Sequence, residues 1–401
     1  MPTSQDRILT THVGSLVRPP ELTRYIEAID NGVKVDHAAF DRCLADSVAD
    51  VIKRQQQAGV DVVSDGEFGK FRSWSFYVLD RLGGIEERAV EAARGAGRDQ
   101  QMFADFYAEY FPTQKLPKRG TVVCVGPLTY KGHAAVQKDI EVFKAGLKGA
   151  PVADAFLPVV APASAVPRHK NEYYKDDEEF LFKLAEALRE EYKAVVDAGL
   201  MVQIDDAFLP YMYDVAFAAD QLEQYRKWAA VRIEALNHAI EGLPEDRIRY
   251  HICWGSFNTP HVTDVPLKDI VDLVLRVKAG GYCIEMGNRR HEHEWVAGVG
   301  KCETAARPQA HSRRHQPLDQ CRRASGARCR AIDAPRAARR TGERVRWHRL
   351  RLRAIALCAA RASLDHVGEA RGAGRRRAAR IARIVGEEGC LNGDVPQSRN
   401  R

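Results

Sequence analysis

The chain has 401 residues, 45% hydrophobic and 29% charged, with a formal net charge of +7 at neutral pH; that length suits one large single-core domain or two ordinary ones. The charge is unevenly held: residues 302–401 carry 24 Arg, no Lys and 9 acidic side chains, a balance of +15 that leaves −8 for the first 301. Nine scattered cysteines, no signal-like start, and an apolar stretch at 150–167 broken by Asp154 and four prolines exclude a disulfide scaffold and a membrane span, and predict a soluble, cytoplasmic chain.

One pattern recurs along the first 295 residues: amphipathic helix, glycine, short β-branched strand, then a polar or ligand-type residue. Residues 46–57 are predicted as a helix stopped by Gly59, and strand 60–63 runs to Asp65, Gly66 and Glu67. Residues 178–197 form the next helix, Gly199 stops it, and strand 201–204 runs to Asp205 and Asp206. A third helix has apolar residues at Leu222, Tyr225, Ala229, Ile233, Leu236 and Ile240, and its strand, 248–253, ends in His251, Ile252 and Cys253. Residues 267–278 read as a helix, followed by strand 282–284 and Glu285. Alternating helices and strands predict a parallel sheet. Polar residues at four strand ends favour a (β/α)8 barrel, where active sites gather on that face. A doubly wound sheet, the runner-up, would want a glycine-rich phosphate loop, and none is present.

His251 and Cys253 lie two apart on a predicted strand, so both face the same way. Imidazole and thiolate favour zinc over calcium or magnesium. If the strands bearing them and Glu285 are neighbours, roughly 4.8 Å apart, the three groups can converge on one ion. Cys283 should lie a layer deeper and reads as packing, with a substitute-ligand role as the alternative. The run His291-Glu292-His293-Glu294 lacks H-E-x-x-H spacing and reads as a solvated loop. Asp65-Gly66 alone could be only a turn, and Gly14-Ser15 only a loop. Trp74, Phe76 and Tyr77 fit core packing better than a substrate pocket.

In order along the chain stand Thr10-Thr11-His12-Val13-Gly14-Ser15, Asp65-Gly66-Glu67, Gly126-Pro127, Ile204-Asp205, His251-Ile252-Cys253, Ile284-Glu285 and Glu292-His293-Glu294-Trp295. Over residues 8 to about 295 this series resembles the catalytic domain of cobalamin-independent methionine synthases, most of all the stand-alone bacterial type. The resemblance implies a TIM barrel of the methionine synthase and uroporphyrinogen decarboxylase type. It also implies zinc-dependent transfer of a methyl group from 5-methyltetrahydrofolate, possibly polyglutamylated, to homocysteine. Gly14, Ser15 and Glu67 would hold the amino-acid acceptor, and Asp205 would position its amino group or the folate-side substrate, which makes Glu67 and Asp205 the catalytic candidates. His251, Cys253 and Glu285 would hold the zinc. Where the family has Asp-Glu-Pro at the strand that ends in Asp205, this chain has Asp205-Asp206-Ala207. The alternatives are a related zinc-thiol alkyl- or methyltransferase using another small thiol or a methyl-corrinoid donor, and a non-catalytic product whose basic tail binds nucleic acid.

The tail reads as a shifted reading frame. The family continues past Trp295 with a His-Ser/Thr-Asn loop and an Asp-Cys-Gly-Phe motif carrying a further zinc ligand, and neither is present. Codons for residues 316–325, read one nucleotide later, accommodate Ser-His-Trp-Thr-Asn-Val-Val-Glu-His. In the same shift, 349–354 accommodates Asp-Cys-Gly-Phe-Ala and 363–371 accommodates His-Pro-Ser-x-Met-Trp-Ala-Lys-Leu. The expected organisation is therefore an incomplete catalytic barrel over 1–295 and an out-of-frame, poorly ordered 296–401 lacking the last strands. Arg without Lys, and with Trp347 in place of any Phe or Tyr, argues against a genuine nucleic-acid-binding arm. Partners are expected to be small molecules, with no membrane and no nucleic acid.

Overall fold

A computed structural model describes residues 7–70, 73–89, 96–113, 120–166, 169–255, 257–286, 290–291 and 293–294. The predicted unit 296–401, and Glu292 and Trp295 of the last motif, lie outside the described residues. Eight strands are present among those described: β1 (Val62–Ser64), β2 (Leu82–Arg88), β3 (Thr121–Tyr130), β4 (Asp154–Val160), β5 (His169–Asn171), β6 (Met201–Asp205), β7 (Ile248–Ile252) and β8 (Gly281–Ile284). Five form a parallel sheet in the order β1-β4-β6-β7-β8. A parallel bridge from Thr11 to Val62 extends it beyond β1. β6, β7 and β8 are buried at every position, as strands covered on both faces must be.

Each strand is delivered by a helix whose ends are written in the sequence. The helix His37–Gln57 starts at Asp36, whose carboxylate accepts from the Ala38 and Ala39 amides, and Asp176 does the same for Asp177–Asp197 through Glu179. At the other end Gly59 and Gly199 take φ of 80° and 84°. The amides of Val60 and Leu200 then reach back to Gln55 and Val195, closing the last turn and turning the chain into a strand. Helices His37–Gln57, His133–Gly146, Asp177–Asp197 and Leu222–Ala239 pack in succession around the outside.

The structure departs from expectation in four places. β4 was hidden in a run dense with Pro and Ala, yet it lies centrally between β1 and β6; Pro158 is tolerated although proline lacks a donor for the ladder. Gly126-Pro127 falls in β3, which belongs to a separate three-stranded sheet, β2-β3-β5, rather than to the barrel. The predicted helix 267–278 is a 3₁₀ turn, Leu267–Asp269, and one short α-helix, Val271–Val274. Its apolar residues at 267, 270, 271, 273, 274, 275 and 277 are all buried, while Lys268, Arg276 and Lys278 stay exposed. Arg226 holds the segment, donating to the Asp269 carbonyl and, as a fork, to both Asp272 oxygens at 2.8 and 2.9 Å. Finally, the third strand stops at Ile252, leaving Cys253 just past its end.

The small sheet and the helix ring meet at Glu191. Its carboxylate accepts from Tyr77 Oη at 2.9 Å, Arg81 Nη1 at 3.0 Å and Tyr130 Oη at 3.2 Å, and Arg81 also pairs with Asp139 at 2.6 Å. Phe76 and Tyr77 are core residues, as expected, while Trp74 stacks on Phe208. Among the described residues, no helix is long and apolar enough to cross a membrane.

Candidate active site

Glu67, Asp205, His251, Cys253 and Glu285 lie at or just past the carboxyl ends of strands of the parallel sheet, and Gly14 and Ser15 lie on the loop beside β1. That loop begins at Thr11, whose hydroxyl donates to the Val62 carbonyl at 2.8 Å, and turns at Gly14 with φ of 82°. The Leu16 amide then bonds the Gly66 carbonyl at 3.0 Å, which holds Gly14 and Ser15, both exposed, against the end of β1. There Gly66 and Glu67 are consecutive left-handed residues, φ 69° and 61°. A side chain other than glycine costs about 1–3 kcal/mol in that conformation. The backbone around Glu67 is over-determined: Asp65 Oδ1 accepts its amide at 2.9 Å, and Arg18 donates to its carbonyl at 2.7 Å. Its side chain is buried. Ser15 Oγ donates to Oε2 at 2.6 Å, while Oε1 has no hydrogen-bond partner among the described residues. A buried carboxylate oxygen without a donor is costly, and the place beside it is suited to a cation.

Asp205 ends β6 and faces the same interior. Gln203 Nε2 donates to its Oδ1 at 2.7 Å. Burial first, and the charge of Glu67 next, push its pKa up. Asp206, where the family pattern has Glu, is also raised, to about 6, chiefly by burial. It accepts from Ser164 Oγ at 2.6 Å and Tyr250 Oη at 2.8 Å, which makes it part of the scaffold.

β7 and β8 are neighbours in register, with His251 beside Cys283 and Ile252 beside Ile284, and the Glu285 amide continues the ladder to Ile252 at 3.1 Å. His251 Nδ1 lies 2.8 Å from the Cys283 carbonyl. A carbonyl can only accept, so that nitrogen carries the proton and Nε2 keeps its lone pair. Burial lowers the His251 pKa to about 4, so the ring is neutral and available as a ligand. Burial and then the Glu285 charge push the Cys253 thiol up to about 12. A thiol so placed becomes a thiolate only beside a cation.

The donor chemistry therefore fits a thiophilic divalent ion. The expectation that the three groups already share one centre is corrected by the geometry. Among the described residues no three His, Cys, Asp or Glu side chains are gathered closely enough to hold a metal. The Glu285 carboxylate is turned instead to the Trp254 amide at 3.3 Å and to Arg290 at 3.5 Å. Cys283 is buried and serves His251 through its carbonyl.

His291 also differs from expectation. It is buried, stacked on Trp254 at 3.8 Å, and its Nδ1 meets Glu294 Oε2 at 3.2 Å. Glu294 in turn accepts the Leu267 amide at 2.6 Å. Arg290 joins this packed corner to Asp264 at 3.1 Å. The i, i+3 spacing of His291 and Glu294 was the available signal, but it was read against a metal motif instead of a side-chain pair. Arg249 and Gln203 were also missed; their signal was a charged and an amide side chain two residues before His251 and Asp205, on the same face of otherwise apolar strands.

Among the described residues the architecture is part of a TIM barrel, with its polar residues on the carboxyl face of the parallel sheet. No protein-family model matches the chain. It is 23% identical to the methionine synthase of Sulfolobus acidocaldarius over 270 residues, 67% of this chain and 68% of that protein. It is 24% identical to the methionine synthase of Pyrococcus furiosus over 295 residues, 70% of this chain and 68% of that one. In structure it is similar to the putative vitamin-B12 independent methionine synthase from Listeria monocytogenes, with a TM-score of 0.53 at 18% identity, covering 95% of this chain and 97% of that one. Over about two thirds of its length the chain is thus similar to proteins named methionine synthase.

Proposed function

We propose that this protein is a methyltransferase that moves a methyl group to the thiol of homocysteine, giving methionine, with 5-methyltetrahydrofolate as donor. The observation that carries the reading is Glu67: a buried carboxylate in a strained left-handed conformation, one oxygen held by Ser15 and the other without a donor. Strain retained around a buried carboxylate with one unmet oxygen, at the carboxyl end of a barrel strand, points to a ligand that completes it. The α-ammonium of an amino acid is such a ligand, with Glu67 Oε1 as its acceptor and the Gly14-Ser15 turn beside it to receive the α-carboxylate. The relatives named methionine synthase support the reading, since methionine is itself an α-amino acid.

Asp205 stands over the same space, held on Oδ1 by Gln203. Its raised pKa lets it keep a proton at higher pH than an ordinary carboxyl, so that it can donate to an amine or to the departing nitrogen of the donor. Its neighbour Asp206 is fixed by Ser164 and Tyr250 and takes no part. His251, Cys253 and Glu285 would hold a zinc ion once the Glu285 side chain leaves Arg290. When bound, zinc would lower the pKa of the acceptor's sulfhydryl. We attribute the composition of the basic segment 296–401 to a frame shift in the gene.

The test is methyl transfer from 5-methyltetrahydrofolate, as mono- and triglutamate, to homocysteine by the zinc-loaded chain, alongside calorimetry with homocysteine alone. Transfer, or homocysteine binding that disappears in Glu67→Gln, supports the reading. Neither transfer nor binding, with zinc bound in stoichiometric amount, defeats it. Zinc retention after dialysis should fall from near one equivalent to near none in Cys253→Ser.

A further inference from the structure

Beneath the candidate site, one layer deeper in the sheet, lies a charged side chain that the proposed reaction does not use. Arg249 is on β7, two residues before His251 and on the same face, and is 3% exposed. Its guanidinium lies over the Phe156 ring at 3.7 Å. Nη1 donates to Thr11 Oγ1 at 3.0 Å and Nη2 to the His12 carbonyl at 3.4 Å. Nη2 also donates to Gln203 Oε1 on the adjoining β6, where the two residues are direct register partners. The amide of Gln203 is thereby oriented: its oxygen takes the arginine and its Nε2 is left to donate to Asp205 Oδ1 at 2.7 Å.

The result is a continuous chain of hydrogen bonds in which Arg249 donates on one side to Thr11 and His12 and on the other, through Gln203, reaches Asp205. It crosses the sheet's interior from β7 to the segment beside β1, joining residues 238 apart in sequence. Burying a guanidinium in a barrel interior is expensive unless its donors are met. A hydrophobic side chain would fill that layer at lower cost, as the Phe156, Ile204 and Tyr250 neighbours do in theirs. The planar fork does what a hydrophobe or a lysine cannot, fixing two groups at once at a set angle.

We propose that Arg249 is a positioning residue: it ties the Thr11–Ser15 turn to Asp205 through Gln203, so that the acceptor's amino-acid end and the carboxyl beside the reacting atoms keep one register. This rests on the function proposed above. It adds that the turn and Asp205 are coupled, and that the coupling passes through two residues that touch no substrate.

The test uses the full chain and two readouts, hydrogen exchange and steady-state methyl transfer. In Arg249→Met, the amides of residues 11–15 should exchange at least tenfold faster, while those of the helix Leu222–Ala239 stay unchanged. Arg249→Lys, which keeps the charge but not the fork, should show the same direction and fail to rescue. Gln203→Glu keeps an acceptor for Arg249 but cannot donate to Asp205. It should leave exchange at 11–15 unchanged and lower kcat about tenfold at unchanged KM for homocysteine. Unchanged exchange at 11–15 in both Arg249 variants overturns the proposal, as does wild-type kcat in Gln203→Glu. Should Arg249→Met fail to fold, the Lys and Glu variants decide. Should the unmodified chain transfer no methyl group, the functional reading fails, and exchange in Arg249→Lys and Gln203→Met, both expected to loosen 11–15, decides the coupling separately.

Discussion

Asp65 lies under the strained turn, and its ionisation should cost the protein stability that an asparagine would return. It is buried at the end of β1, and its Oδ1 accepts the Glu67 amide at 2.9 Å. Burial first, with Lys70 as the largest opposing influence, raises its pKa from 3.8 to about 6. The folded-state pKa is above the unfolded one, so the folded protein holds the proton more tightly between those two values. Stability is therefore lost as pH rises through that window and stays lost above it. A shift of about two units corresponds to about 3 kcal/mol at pH 7 and to less than about 1 kcal/mol at pH 4. Asp65→Asn keeps the acceptor for the Glu67 amide and removes the titration. Urea unfolding of parent and variant at pH 4 and pH 7 should show the variant ahead by about 2–3 kcal/mol at neutral pH and close to level in acid. A variant equally displaced at both pH values, or weaker at pH 7, refutes the assignment of a costly buried charge to this position.

The other carboxylates should separate by role. Glu191→Gln, which leaves the Tyr77, Arg81 and Tyr130 donors competing for one amide oxygen, should destabilise the fold by about 3 kcal/mol in urea unfolding; a change below about 0.5 kcal/mol removes the hub role. Glu67→Gln should weaken homocysteine binding about 10- to 100-fold by calorimetry, the worth of one charge-assisted bond, and unchanged affinity removes Glu67 from the acceptor site. Shifting the gene by one nucleotide just after the Trp295 codon should raise methyl transfer at least a hundredfold over the chain as written, through recovery of the last strands and a further zinc ligand. Equal turnover by the two chains defeats the frame-shift reading.

Much of the barrel was legible because its signals are local. Asp36 and Asp176 cap their helices, and Gly59 and Gly199 end them with positive φ. β-branched runs then lead to Asp65, Asp205 and His251 at strand ends. β4 was masked by the prolines in its own run, and the helical spacing over 267–278 gave way to a 3₁₀ turn and one short helix that Arg226 anchors from outside the segment. The hairpin β2–β3 was not foreseen, since its partners are some forty residues apart in register and nothing local links them.

For the site, the sequence by itself determined which chemistries are available: a carboxylate after β1, another after β6, an imidazole and a thiol at β7, a carboxylate at β8. Their order and their strand ends follow from backbone periodicity, which each segment carries alone. Only the tertiary structure decided which partners those groups take. It bent Glu67 into the left-handed region with one oxygen bare, turned Glu285 to Arg290 and Trp254, buried His291 against Trp254, and ran Arg249 across the interior to Thr11. Hydrogen bonds and charge pairs of this kind depend on distances between residues far apart in the chain, and those distances exist only once the sheet has curled.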